Sequence, residues 1–461
     1  MKTDTIAAIA TGMTHSGIGI IRVSGDEALN VVDKIFVDKN YNPVMKEMKS
    51  HTIRYGFILD DKKEAVDEVM VSFMKGPRSF TAEDTVEINC HGGILIMNRI
   101  LELVIKSGAR LAEPGEFTKR AFLNGRIDLS EAEAVMDVIS SKNEMALKSS
   151  LKQLKGSVSG IVKKLRDDII YEIAFIESAL DDPEHISLEG YPEKLSNKVD
   201  ILLKDVDKLI SSADNGKLIK EGINTVIVGK PNAGKSSLLN ILVGEEKAIV
   251  TDVAGTTRDV LEENIKLHGI GLNIIDTAGI RFTEDIVEKI GVEKAKKYAA
   301  DADLVIYMVD SSVEFDDNDK EIMELIQDKK CIVLLNKTDL EAKVSEEELR
   351  NRIKENTVII KTSTRENTGI DEFENTIKEM FFQGEVTSNE EVMITNMRHK
   401  ECLIDAYESL KQVKRSLMDD MPEDFYSIDL MSAYTSLGTI IGEEIGEDLM
   451  NEIFSKFCMG K

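Results

Sequence analysis

The feature that most restricts how this chain can fold lies in its middle: Gly229-Lys230-Pro231-Asn232-Ala233-Gly234-Lys235-Ser236, a match to G-x-x-x-x-G-K-[ST]. Glycines at those positions let backbone N–H groups converge on a phosphate, and that geometry arises where a strand turns sharply into a helix. The flanks meet the requirement. Ile223-Asn224-Thr225-Val226-Ile227-Val228 reads as a buried strand, and Ser236 to Leu242 opens a helix. A chance match in a glycine turn would lack both. Lys235 is placed to contact the outer phosphates, and Ser236 to ligate Mg2+.

The chain has 461 residues, and 228 of them precede the loop. That length suggests about three domains. The formal net charge of −26 argues against unaided, nonspecific nucleic-acid binding, which needs clustered Lys and Arg. An RNA partner would then be met by a local basic patch or by another subunit. A solvated acidic surface that maintains solubility is the better default account of the charge. Cys90, Cys331, Cys402 and Cys458 are scattered with no C-x-x-C pair, which disfavours a disulfide framework or a zinc site and fits a reducing, cytoplasmic setting. The sequence holds no apolar run of about 18 residues, so no transmembrane helix is expected. The opening Met1-Lys2-Thr3-Asp4 lacks the apolar core of a secretory signal.

Residues 1–118 read as α+β, with strands at Thr5–Ala10, Gly19–Val23, Val69–Phe73 and Thr85–Asn89 and a helix over Glu27–Ile35. Leu129-Ser130-Glu131-Ala132-Glu133 carries a capping-box pattern with Ser130 as N-cap and Glu133 three residues on. A helical pattern follows to about Ser212, where Leu195, Val199, Leu202, Val206 and Leu209 form one apolar stripe. From 216 to 384 strand and helix alternate, with strands at Thr225–Val228, Leu272–Ile275, Leu304–Val309, Cys331–Leu335 and Val358–Ile360. This predicts a mainly parallel sheet covered on both faces. Helical spacing returns at Leu403, Ala406, Leu410, Val413 and Leu417. One helical domain (119–215 and 385–461), interrupted by an α/β domain and closed by packing the two stripes together, is the simplest account. Two separate helical pieces are the alternative.

Further nucleotide elements follow in the order a GTP-binding fold requires. In Asp276-Thr277-Ala278-Gly279 a carboxylate can hold the Mg2+ shell and the Gly279 N–H can sense the γ-phosphate. In Asn336-Lys337-Thr338-Asp339 the Asp339 carboxylate can accept from guanine N1 and N2, donors that adenine lacks, so adenine would leave the charge unpaired. Asn336 and Lys337 would hold the loop and cover the base, and Ser363-Thr364-Arg365 is placed for a backbone contact to guanine O6. Thr251 to Thr257 would form the covering switch loop, with Thr257 as a Mg2+ ligand. Together these read as a GTPase rather than an ATPase. Ile280 stands where many signalling GTPases have a glutamine near the attacking water, so Glu284, Asp285 or Glu288 is left to orient it. No arginine finger is assignable in cis. The Asn232 oxygen can help hold a monovalent cation against the phosphates.

With these residues in view, the sequence resembles the MnmE (TrmE) family of tRNA-modification GTPases, within the TrmE-Era-like P-loop GTPases. The resemblance rests on the phosphate loop through Ser237, Gly255-Thr256-Thr257-Arg258-Asp259, His91-Gly92-Gly93, Pro114-Gly115-Glu116-Phe117 with Arg120-Ala121-Phe122-Leu123-Asn124, and Phe457-Cys458-Met459-Gly460-Lys461. It implies an N-terminal α+β folate-binding and dimerisation domain (1–118), an all-helical domain in two halves, and an inserted Ras-like α/β GTPase domain (216–384).

The resemblance also implies a homodimer that works with a flavin-containing partner, MnmG (GidA), the FAD residing on that partner. Together they build a (carboxymethyl)aminomethyl group on C5 of the wobble uridine of certain tRNAs. The one-carbon unit would come from 5,10-methylene- or 5-formyl-tetrahydrofolate. By motif position it implies Arg22, Glu87, Arg126 and Lys461 for folate, Cys458 as a functional cysteine and Glu288 as the water-orienting carboxylate. It implies Asn232, Thr251, Val253 and Thr256 for K+, and Asn232, Ala233, Gly234, Lys235, Ser236, Ser237, Thr251, Thr256, Thr257, Asp276, Thr277, Ala278, Gly279, Asn336, Lys337, Asp339, Ser363, Thr364 and Arg365 around GTP. The rival reading, a GTP switch docking on the ribosome during assembly, would call for a basic RNA-binding domain, and the charge of −26 gives no sign of one.

Overall fold

The computed structural model describes residues 4–245, 262–267, 270–275, 302–327, 329–354, 357–382, 392–443, 445–458 and 460. They fall into two compact units, one made of Met1–Met136, Gln153–Ser196 and Glu408–Lys461, the other of Asp137–Lys152 and Asn197–Tyr407.

The first unit opens with β1 (Ile6–Ile9), β2 (Ser16–Ser24), α1 (Ala28–Asp33), β3 (Phe36–Asp38), β4 (Thr52–Leu59), β5 (Ala65–Met74), β6 (Thr85–Gly92), α2 (Ile94–Lys106), β7 (Arg110–Leu111) and α3 (Glu116–Leu123). The sheet runs β3-β4-β5-β6-β2-β1-β7, antiparallel except where β7 joins β1. Alternate residues such as Ile21, Val23, Val69, Val71, Val86 and Ile88 are buried against α1 and α2, and their neighbours point to the other face. That alternation sets the register and makes Arg22 of β2 and Glu87 of β6 direct cross-strand partners. Strands β3 and β4 and helix α2 were not anticipated. In β4, Ile53, Arg54 and Tyr55 are all exposed, so its apolar alternation is broken where it would have been read.

The helical elements are α4 (Leu129–Ser140), α5 (Glu144–Leu154), α6 (Ser157–Asp181) and α7 (Tyr191–Glu221), and beyond the α/β sheet α12 (Met397–Met418), α13 (Glu423–Ile441) and α14 (Glu447–Ser455). The capping box at α4 lies two residues earlier than expected. Asp128, not Ser130, accepts from the Glu131 N–H at 3.0 Å, and Glu131 returns a carboxylate to the Asp128 N–H at 2.9 Å. The pattern S-x-x-E and the pattern D-x-x-E overlap here, and Asp caps as well as Ser does. Ser130 instead donates to Asp128 at 2.7 Å.

Both predicted stripes are buried, apart from half-buried Leu417. One close contact between the two halves is α6 against α13. Arg166 of α6 lies 4.0 Å from the Tyr434 ring centroid and pairs with Glu443, and its guanidinium fits because residue 438 is glycine. Spacing reports which face is apolar, not which partner covers it.

The second unit contains β8 (Ile223–Val228), α8 (Lys235–Glu245), β9 (Glu262–Leu267), β10 (Ile270–Ile275), β11 (Leu304–Asp310), α9 (Asp317–Ile326), β12 (Cys331–Asn336), α10 (Glu346–Arg350), β13 (Val358–Lys361) and α11 (Ile370–Phe382). The order is β13-β12-β11-β8-β10-β9, parallel except for the unanticipated antiparallel edge strand β9. Every residue of β11 is buried: Leu304, Ile306 and Met308 enter one core, and Val305, Tyr307 and Val309 the other. A sheet covered on both faces gives that pattern. Among the described residues no helix is long and apolar enough to cross a membrane.

Candidate functional site

In the second unit the loops that leave β8, β11, β12 and β13 meet at the carboxyl ends of parallel strands, where open α/β sheets bind their ligands. The phosphate loop joins β8 to α8. Gly229 has φ 153°, Asn232 62° and Gly234 108°, so three residues hold left-handed backbone. Glycine at 234 has a further cause: a Cβ there would lie 2.2 Å from the Asn336 amide nitrogen. Asn232 tolerates its φ as Asn often does, and its side chain is exposed. Ala233 is buried, and Ser236 and Ser237 are exposed in the first turn of α8. The Lys235 ammonium donates to the carbonyls of Gly229 and Lys230 at 2.6 and 2.8 Å.

The base-side loops are joined to the phosphate loop by Asn336, which is fully buried. Its Nδ2 donates to the Ala233 carbonyl at 2.8 Å, and its Oδ1 accepts from the Thr364 N–H at 3.1 Å and the Thr362 hydroxyl at 3.3 Å. Lys337, at φ 63°, donates to Asp310 at 2.6 Å. Burial of Asp310 opposes its ionisation, but the bonds from Lys337 and Ser312 outweigh it and hold the carboxyl below its ordinary value. The Ser363 hydroxyl donates to Asp339 at 2.7 Å and holds that carboxyl below the usual carboxylate range, with exposed Arg365 adding a smaller pull. The arrangement presents an ionised, solvent-facing acceptor beside ordered backbone N–H groups, which is what recognition of a guanine edge requires.

Thus Asn232, Ala233, Gly234, Asn336, Lys337, Asp339, Ser363, Thr364 and Arg365 lie on or at the start of these neighbouring loops, and Lys235, Ser236 and Ser237 in the first turn of α8. The predicted Thr251, Val253, Thr256, Thr257, Asp276, Thr277, Ala278, Gly279, Glu284, Asp285 and Glu288 lie outside the described residues, and so does Lys461. Sequence reasoning missed Asp310 and Thr362. Both follow from strand ends already located, but no local motif marks them.

A second cluster forms within the first unit. Nε and Nη2 of Arg22 both contact Glu87 Oε1, at 2.9 and 2.8 Å, and Nη1 donates to the Gly460 carbonyl at 3.3 Å. The Arg22 guanidinium lies 5.7 Å from the ring centroids of both Phe80 and Phe117. Arg126 covers Phe80 at 5.2 Å and donates to its carbonyl at 3.0 Å. Two of the described folate candidates, Arg22 and Arg126, therefore meet at Phe80, a residue with no motif to announce it, and the third, Glu87, is held by Arg22.

The quoted Pro114–Phe117 and Arg120 stretch adjoins this cluster through Phe117. Glu116 accepts from Arg110 at 2.6 and 2.8 Å and from Arg120 at 3.0 Å, and Arg120 also pairs with Glu83 at 3.1 Å. Gly115 has φ 69°, and a Cβ there would meet the Phe454 carbonyl at 2.5 Å, so the end of the chain is seated on a glycine. The Gly115 N–H donates to the Cys458 carbonyl at 3.4 Å. Of the cysteines, Cys90 and Cys331 are buried, their thiols pushed up by burial to about 11 and about 12, and Cys458 is exposed.

Comparison with known proteins matches both regions. A family model described as the MnmE helical domain covers residues 129–458, and one described as the GTP-binding protein TrmE N-terminus covers residues 5–126. Proteins named tRNA modification GTPase MnmE are similar over the whole chain. The one from Lachnoclostridium phytofermentans is 59% identical over 461 residues and the one from Acetivibrio thermocellus 50% over 461, each covering 100% of both chains. The one from Alkaliphilus metalliredigens is 48% identical over 459 residues, 99% of both. On these matches, and with the nucleotide loops assembled as described, the chain belongs to the MnmE family of tRNA modification GTPases.

Proposed function

We propose that this protein hydrolyses GTP, with Mg2+ and K+ in attendance, and uses that cycle to drive modification of C5 of a tRNA wobble uridine as a cytoplasmic homodimer with the flavoprotein MnmG. The observation that carries the GTPase part is the bond from Asn336 to Ala233, which joins a guanine-reading loop to a phosphate loop through one buried side chain. Lys235 and the loop N–H groups bind the phosphates, Ser236 offers a hydroxyl for Mg2+, and Asp339 accepts the guanine edge. Support for K+ is the exposed Asn232 amide at the left-handed turn of the loop.

The residues around Phe80 fit a folate. Arg22 engages Glu87 through Oε1 alone, so Oε2 is left to accept from the donor edge of a pterin. Arg126 provides a cation for a glutamate tail, and Phe80 a flat apolar surface. When bound, the folate supplies the one-carbon unit. Arg22 orients Glu87 and ties Gly460 beside it, which keeps exposed Cys458 in the same neighbourhood.

Two measurements test the reading. The purified chain should turn over GTP faster in potassium than in sodium, and equal rates remove the cation assignment. Mass spectrometry of tRNA wobble uridines from cells lacking the protein should show the C5 group missing, and an unchanged profile removes the modification role.

A further inference from the structure

Lys230, the second residue of the phosphate loop, is not a surface lysine. Its side chain is 13% exposed, and its ammonium lies 2.6 Å from Asp319 Oδ2, 3.2 Å from Asp316 Oδ2 and 3.2 Å from the Glu314 carbonyl it donates to. Three acceptors for three N–H donors leave it nothing to offer a phosphate directly. Asp319 is 2% exposed as a side chain. Its other oxygen takes the hydroxyl of fully buried Tyr307 at 2.8 Å, and its Oδ2 also accepts the Asp316 N–H at 3.0 Å within the cap of α9. The cation is thus pinned to the sheet through Tyr307 and to α9 through its capping box.

The backbone of the same residue has a second task. The Lys230 carbonyl accepts from the Lys235 ammonium at 2.8 Å. Between these two lysines the chain passes through left-handed Asn232 and Gly234, at φ 62° and 108°. Backbone held in sparsely populated regions persists only where its surroundings over-determine it. Gly229 is wedged at one end, where a Cβ would meet the Met308 carbonyl at 2.4 Å, and Lys230 is the residue tied down next to it. A buried ion pair is a poor source of stability against an apolar replacement, so its value here lies in geometry.

We propose that Lys230 is a positioning residue of the GTPase site: anchored by Asp319 and Tyr307, it fixes the carbonyl on which Lys235 rests and so pre-sets the phosphate loop for the nucleotide. This rests on the GTPase reading above. Without the anchor the loop spends only part of its time in the binding geometry, and apparent affinity falls by that fraction.

The test uses the full-length chain, a fluorescent GTP analogue for Kd and steady-state turnover for KM and kcat. Lys230→Met should raise Kd and KM about tenfold while kcat changes less than about threefold, because the loss falls on pre-organisation. Lys230→Arg, which keeps the cation, should recover most of the affinity. Since Lys230→Met alone strands a buried carboxylate, the paired variant Lys230→Met/Asp319→Asn provides a control that removes both charges. It should bind GTP no worse than Lys230→Met, as residues of one network are not additive. Unchanged Kd in Lys230→Met, a paired variant that binds GTP more weakly than Lys230→Met, or a Kd rise that only tracks lost folded protein and is not recovered by Arg would each overturn the proposal. A wild-type chain that binds no GTP overturns the GTPase reading and this inference together. A wild type that binds alongside an equally competent Lys230→Met overturns this inference alone.

Discussion

Asn336 Nδ2 lies 2.8 Å from the Ala233 carbonyl, close enough to Gly234 that any Cβ at 234 would strike it. One amide thereby spans a base-reading loop and a phosphate-binding loop that are far apart in sequence. Replacing Asn336 by Ala strands the Ala233 carbonyl and the Thr364 N–H in a buried setting, at about 1–3 kcal/mol for each unpaired group. Chemical denaturation should show a loss of at least about 2 kcal/mol, and GTP affinity should fall more than tenfold. If both stay at wild-type values, the two loops are not held by this residue.

Asp339 is ionised and accepts from Ser363 at 2.7 Å. Asn at 339 would present a donor where the guanine edge also donates, and should shift preference from guanosine to xanthosine nucleotides in competition binding. The lowered carboxyl value also sets a pH dependence. The contribution of charged Asp339 is fully present above its ordinary carboxylate value and is lost only as pH falls through the lowered one. In Ser363→Ala the donor is gone, so GTP binding should weaken at a higher pH during acidification than in the wild type. Superimposable pH profiles would exclude the Ser363 contribution.

The cap of α4 distinguishes two overlapping patterns. Asp128→Ala removes the acceptor of the Glu131 N–H and should cost about 1 kcal/mol. Ser130→Ala removes only a donor to Asp128 and should cost less. The order of thermal midpoints checks this, and a larger loss for Ser130 would restore it as the cap.

Gly115 carries both a left-handed φ of 69° and the Phe454 carbonyl in the space of a Cβ. Gly115→Ala should therefore destabilise by more than about 1–2 kcal/mol, the backbone term alone. It should also speed alkylation of Cys458, whose carbonyl accepts from the Gly115 N–H. A thermal midpoint and a Cys458 peptide-labelling rate equal to wild type would show that the chain end does not depend on this seat.

The candidate nucleotide loops were legible to an unusual degree because their parts are short and self-contained. Strand, glycine loop and helix occupy consecutive residues around Gly229, and Asn336 to Asp339 directly follow a buried strand. Local backbone chemistry is written within each piece, and the order of the pieces along the chain adds specificity that none has alone. The cluster around Phe80 was legible only through resemblance. Arg22 and Glu87, taken alone, read as ordinary strand charge, and they become a pair only because β2 and β6 align them.

Alternation, helical spacing and glycine placement act over a few neighbouring positions, so the fold class and the backbone of the candidate nucleotide loops could be read from the chain alone. The tertiary structure alone decided the partners: Phe80 between Arg22 and Arg126, α13 against α6, and Asp319 beneath Lys230. The physical reason is that a buried charge or an apolar face specifies only that it must be met. Many residues in the chain are chemically able to meet it, and which one does is fixed by the packing of distant segments in space.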